Sequence, residues 1–91
     1  MNNKLRTFSL LRYVSGALEL AEYARDEDGV VVATVPDASG FFAQGDTFEE
    51  ARANLRDVIE GNVLLALQMG LPIPVMPGVI IEEQDAQAFA A

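Results

Sequence analysis

Residues 26–50 read Asp26-Glu27-Asp28-Gly29-Val30-Val31-Val32-Ala33-Thr34-Val35-Pro36-Asp37-Ala38-Ser39-Gly40-Phe41-Phe42-Ala43-Gln44-Gly45-Asp46-Thr47-Phe48-Glu49-Glu50. The run 30–35 is β-branched apart from Ala33, which predicts a strand. Pro36 ends it by removing a ladder donor. Asp28-Gly29 stands between this run and the strand-like Glu22-Tyr23-Ala24-Arg25, the pattern of a hairpin turn in which glycine takes positive φ at little cost. Asp37-Ala38-Ser39-Gly40 reads as a second turn, and Phe41–Gln44 as a short third strand stopped by Gly45-Asp46. A three-stranded antiparallel meander over 22–44 follows. In a strand Phe41 and Phe42 face opposite ways, so one of them belongs to the core and the other to the surface or an interface.

Thr47 and Glu50 form a capping box that opens a helix. The periodicity carries it to about Met69. Its inner face is expected to hold Ala51, Leu55, Val58, Ile59 and Leu65, with Leu64 or Met69. Gly61-Asn62 interrupts the period. Val63–Leu67 is apolar nearly all round and calls for a cover, from the N-terminal helix or from another subunit. Gly70 suits the position that ends the helix, and Pro72 follows it. Residues 71–78 hold three of the four prolines and predict an extended connector. Val79-Ile80-Ile81 is a short strand candidate, and the tail from 84 to 91 is expected to fray. Upstream, residues 8–20 are apolar at 8, 10, 11, 14, 17, 18 and 20, which predicts a short amphipathic helix, an extra strand being the alternative. Gly29, Gly40 and Gly45 are assigned to turns.

The order of these features resembles the HicB-type antitoxins, the acidic halves of HicA–HicB toxin–antitoxin pairs. The resemblance covers about residues 20–82. It rests on Val35-Pro36-Asp37, Gly40, Ala43-Gln44-Gly45-Asp46-Thr47 and Glu49-Glu50-Ala51, followed after the helix by Gly70-Leu71-Pro72-Ile73-Pro74. It implies an α+β fold similar to the double-stranded-RNA-binding fold, with a three-stranded antiparallel sheet, one long helix and a final short strand. It also implies neutralisation of a small basic ribonuclease, HicA, and homo-oligomer formation. Phe41 stands where many relatives carry cysteine, so no thiol role passes to this chain. Many relatives add a C-terminal DNA-binding module. None is expected after residue 83 here, and Arg56 is the last cation, so DNA binding by this chain is not expected.

The bulk numbers agree. The 91 residues fit one domain, spanning 1–91, and 51% are apolar, which argues against disorder. Fourteen acidic against six basic residues give a net charge of −8. Residues 1–18 carry three cations and no anion, whereas 57–91 carry five anions and no cation. With no histidine and no cysteine, the chain holds no Ser-His-Asp or Cys-His triad, no Cys/His zinc site and no disulfide. No enzyme activity, cofactor or metal is expected. Asp26, Asp28 and Asp37 are the only compact carboxylate set near strand ends, and a hairpin turn usually carries charge for solvation. No run reaches the roughly 20 apolar residues of a membrane span, and a cytoplasmic location is expected.

Charge complementarity to a basic toxin makes Asp26, Glu27, Asp28, Asp37 and Asp46 the candidate partner contacts, with Leu67 and Leu71 as apolar anchors. Phe41, Phe42, Leu64 and Leu67 are the candidate oligomer interface. The alternative function is a homo-oligomeric structural or regulatory protein that meets no toxin.

Overall fold

In the computed structural model the structure describes residues 4–85. Its elements in order are β1 (Lys4–Thr7), α1 (Leu10–Leu20), β2 (Glu22–Arg25), β3 (Val31–Thr34), β4 (Phe42–Gly45), α2 (Phe48–Met69) and β5 (Glu82–Asp85). The α+β expectation holds. The strands β2-β3-β4 form the antiparallel meander, in the register Tyr23↔Ala33↔Ala43 and Arg25↔Val31↔Gly45.

Turn chemistry sets that register. At the first turn Asp26 Oδ1 accepts from the backbone N–H groups of Asp28 (2.9 Å) and Val30 (3.0 Å), and Gly29 takes φ 82°. The second connection is two turns in succession. Ala38 N–H bonds to Val35 C=O across Pro36 and Asp37, and Phe41 N–H bonds to Ala38 C=O across Ser39 and Gly40. Asp37 (φ 63°) and Gly40 (φ 89°) hold the positive-φ positions, with Pro36 pre-set before Asp37 as in a type II turn. Phe41 closes the second turn, so β4 starts at Phe42, one residue later than the sequence predicts.

The helix α2 opens as expected: Thr47 Oγ1 accepts from Glu50 N–H at 3.0 Å. The Glu50 carboxylate reaches back to the N–H of Asp46 (3.3 Å), one residue before the cap. The helix runs unbroken across Gly61-Asn62 and ends with Gly70 in the left-handed conformation. Gly70 N–H bonds to Leu67 C=O and Leu71 N–H to Ala66 C=O, a Schellman closure. One face of the meander lies under α2, and α1 packs beside α2. The core draws Tyr13, Val14, Ala17 and Leu18 from α1, Val31 and Ala33 from β3, and Ala51, Leu55, Ile59 and Val63 from α2, with Phe41 and Met76.

Three expectations are corrected. The buried face of α2 is the i+4 series 51-55-59-63. Val58 is half-buried, and Leu64, Leu65 and Met69 are exposed. Leu65 lies about 200° round the helix from Val63, so it points away from the sheet. The final strand is Glu82–Asp85, not 79–81, and it takes in Gln84 and Asp85, which the sequence assigns to a frayed tail. Residues 79–81 follow a Pro77-Gly78 turn, and Val79 packs beside Gly16 of α1. Only at residue 82 does a ladder partner appear, and it is β1, an element the sequence reading does not contain: Arg6 pairs with Glu83 and Thr7 with Glu82. The remainder of the expected tail, 86–91, lies outside the described residues.

Candidate functional site

The register divides the predicted contact residues between two ends of the sheet. Gly45 is aligned with Val31 and Arg25, so Asp46 emerges beside the β2–β3 hairpin tip. Asp26, Glu27, Asp28 and Asp46 therefore gather at one end, together with Glu49 and Glu50 of the first turn of α2, and all six residues are exposed. Negative charge is favourable at that helix end. Asp26 spends one carboxylate oxygen on the turn, and Arg25 donates from Nη1 to Gly29 C=O (2.9 Å), so the tip is built rather than loose. The Arg25 guanidinium also lies 5.1 Å from the centre of the Phe48 ring, which meets Tyr23 edge-on at 6.1 Å. Phe48 is half exposed, an aromatic contact point among carboxylates. The phenol oxygen of Tyr23 is buried and has no hydrogen-bond partner among the described residues.

Asp37 is not part of this cluster. It sits in the turn at the opposite end, so Asp26, Asp28 and Asp37 do not converge. Among the described residues no three acidic groups are arranged to hold a metal ion, and no helix is long and apolar enough to cross a membrane.

The Asp37 end carries the apolar surface instead. Asn62 donates to Gly40 C=O (3.2 Å), which fixes the level at which α2 passes the second turn. Beyond it, Leu65, Ala66, Leu71 and Ile73 line a groove of about 200 Å³ with Ser39 and Asn62. Leu71 and Leu64 are exposed and Leu67 is half-buried against the core. Phe42 is 61% exposed, whereas Phe41 is 3% exposed and packs edge-on against Tyr13, so Phe41 leaves the candidate interface set.

Two residues that sequence reasoning did not single out build this end. Arg6 donates to the C=O groups of Leu71 and Ala66, supplying the positive charge that the last turn of α2 lacks. Tyr13 is fully buried and donates its hydroxyl to Pro74 C=O, which ties the Leu71–Pro74 segment to the core. Counting Tyr13 as apolar completes the series 13, 14, 17, 18 on α1, a signal the sequence does contain.

Burial pushes the Tyr13 phenol from 10.0 to about 12. Between these values the unfolded chain gives up its proton while the folded chain holds it. Stability is therefore whole below pH 10 and falls as pH rises towards 12, by at most about 1.4 kcal/mol per pH unit. Urea midpoints at about pH 9 and pH 11 should differ more for the wild type than for Tyr13→Phe, which is itself expected to cost about 1 kcal/mol at neutral pH through the lost hydrogen bond.

The UPF0150-like family matches residues 12–74, which run from the first turn of α1 through Pro74. The chain belongs to the UPF0150-like family. Within that family it is similar to the UPF0150 protein ssr1258 of Synechocystis sp., 44% identical over 36 residues, which are 40% of this chain and 52% of that protein. The match thus spans about half the length of this curated relative. The fold is similar to the crystal structure of TTHA0281 from Thermus thermophilus, with a TM-score of 0.73 and 32% identity over 80% of this chain and 91% of that one. The span matched to the UPF0150-like family takes in the apolar groove and the acidic end and leaves out β1 and β5.

Proposed function

We propose that this member of the UPF0150-like family is an antitoxin of the HicB type, which binds and neutralises a small basic HicA-type ribonuclease. The observation that carries the reading is the acidic end: Asp26, Glu27, Asp28, Asp46, Glu49 and Glu50 exposed around the half-exposed Phe48. A ribonuclease must hold RNA phosphates, so its working surface is basic. An acidic protein surface competes for the same cations, and an aromatic anchor adds affinity once water is excluded. On this reading the chain is an inhibitor rather than an enzyme and needs no cofactor.

A small basic ribonuclease encoded beside this gene should lose RNA-cleaving activity when mixed with the protein. Inhibition should weaken between about 0.05 and 0.5 M salt, as exposed charges become screened. Absence of association at micromolar concentration overturns the proposal.

A second reading is a homo-oligomeric structural or regulatory protein. Phe42, exposed on the outer face of the sheet beside Thr34, favours it. Light scattering with and without the ribonuclease separates the two: an oligomer that ignores the basic partner supports the second.

A further inference from the structure

The helices α1 and α2 enclose a groove of about 540 Å³ on a different face from either end described above. We propose that this groove docks an amphipathic helix of a partner protein, with an aliphatic face and an acidic flank. The inference goes beyond the antitoxin reading, because it concerns a surface of the opposite charge.

The two walls differ in character. Leu10, Leu11, Val14 and Leu18 of α1, interrupted only by the exposed Ser15, make one wall, and Arg52, Arg56 and Glu60 of α2 make the other. Val14 and Leu18 are buried and form the floor, while Leu11 is 78% exposed and stands at the rim. Each wall is about 12 Å long, at 1.5 Å per residue, which matches two turns of a third helix. Such a helix would set apolar residues at i, i+3, i+4 and i+7 against α1 and carboxylates against the two guanidiniums.

Charge selects the occupant. Arg6 and Arg25 are committed to backbone carbonyls, whereas Arg52 and Arg56 are exposed and donate no side-chain hydrogen bond among the described residues. They stand one turn apart on a chain that is otherwise strongly acidic. A carboxylate-headed acyl chain fits poorly, since only one wall is apolar and Glu60 closes the charged one. A second copy also fits poorly. A two-fold arrangement about the 52–56 stretch sets arginine opposite arginine, between chains of net charge −8.

The test uses the full chain and a fluorescein-labelled helical peptide of about 14 residues, long enough for a helix to begin to hold in water. The peptide carries leucines at the spacing above and glutamates on one flank, and binding is read by anisotropy. The expected result is saturable binding that weakens with salt and falls at least tenfold in Arg52→Glu/Arg56→Glu. Leu11→Asp, at an exposed position with no role in the core, should give a comparable loss and keeps the test valid if the arginine variant misfolds. The triple variant Glu27→Lys/Asp28→Lys/Asp46→Lys should bind the peptide as the wild type does, which separates this groove from the antitoxin surface. The proposal is overturned if a lysine-flanked peptide binds as well. It is equally overturned if neither peptide binds, if sodium dodecanoate displaces the peptide at submicellar concentration, or if the groove variants change only the oligomeric state.

Discussion

Gly45→Ala is expected to destabilise the protein by about 3 kcal/mol, the upper end of the usual overpacking cost, because the atoms it meets cannot yield. Gly45 is buried in β4, directly beneath the first turn of α2. A Cβ added there would stand 2.6 Å from Ala51 N and 2.9 Å from Glu50 C. Both are helix backbone atoms, and that turn is pinned by Thr47 from within and by the Glu50–Asp46 contact. The helix would have to lift off the sheet along the contact that positions Leu55 and Ile59. Positive φ is not the cause, since Gly45 is absent from the left-handed glycines Gly29, Gly40, Gly70 and Gly78. Gly61→Ala is the matched control: among the described residues nothing lies within 4 Å of the added Cβ inside α2, and the change should stabilise by about 0.5–1 kcal/mol through helix propensity. Urea unfolding with unchanged slope reads both. A loss at Gly45 no larger than that of an ordinary strand glycine would mean that the helix and strand have room to spare.

Gly45 also marks where the sequence stops being readable. Its neighbours Asp46 and Thr47 announce a turn and a cap, and both are present. The close approach of α2, which is what demands glycine, depends on how a helix lies across a sheet. The same division runs through the rest of the fold. The β2–β3 hairpin, the Pro36 turn, the Thr47 cap and the Gly70 stop are written within four or five residues of themselves, and the structure has each of them. The ribbon of β1 and β5 joins segments more than seventy residues apart, so no local signal announces it. Leu65 reads as an inward residue because Val63–Leu67 is apolar on every side, and only the phase set by Ala51, Leu55 and Ile59 shows which side is covered. The candidate site behaves likewise. The carboxylates are legible as residue types. Their separation into an Asp26–Asp46 end and an Asp37 end follows from strand register, which no single residue states. Arg6 is unreadable for a related reason: α2 lacks a cation in its last turn, but nothing in the sequence says which distant one will supply it.

Reversing the charges of the acidic end should abolish inhibition of the proposed basic partner, while the apolar end contributes affinity but not the electrostatic preference. The variant Glu27→Lys/Asp28→Lys/Asp46→Lys changes three exposed residues whose side chains make no hydrogen bond among the described residues; Asp26 is kept because its carboxylate holds the hairpin turn. The fold should survive, with unfolding midpoints close to the wild type. Each reversal turns an attraction near a cationic surface into a repulsion. At about 1 kcal/mol per site, three sites amount to about a hundredfold in affinity at low salt, expressed largely in the association rate. Leu65→Ser/Leu71→Ser should instead speed dissociation and leave the salt dependence as it was, because an apolar contact carries no charge to screen. Stopped-flow association and dissociation at two ionic strengths resolve the two effects. Should the lysine variant inhibit as strongly as the wild type while the serine variant does not, the ribonuclease is held at the Leu71 end and the acidic cluster serves another purpose.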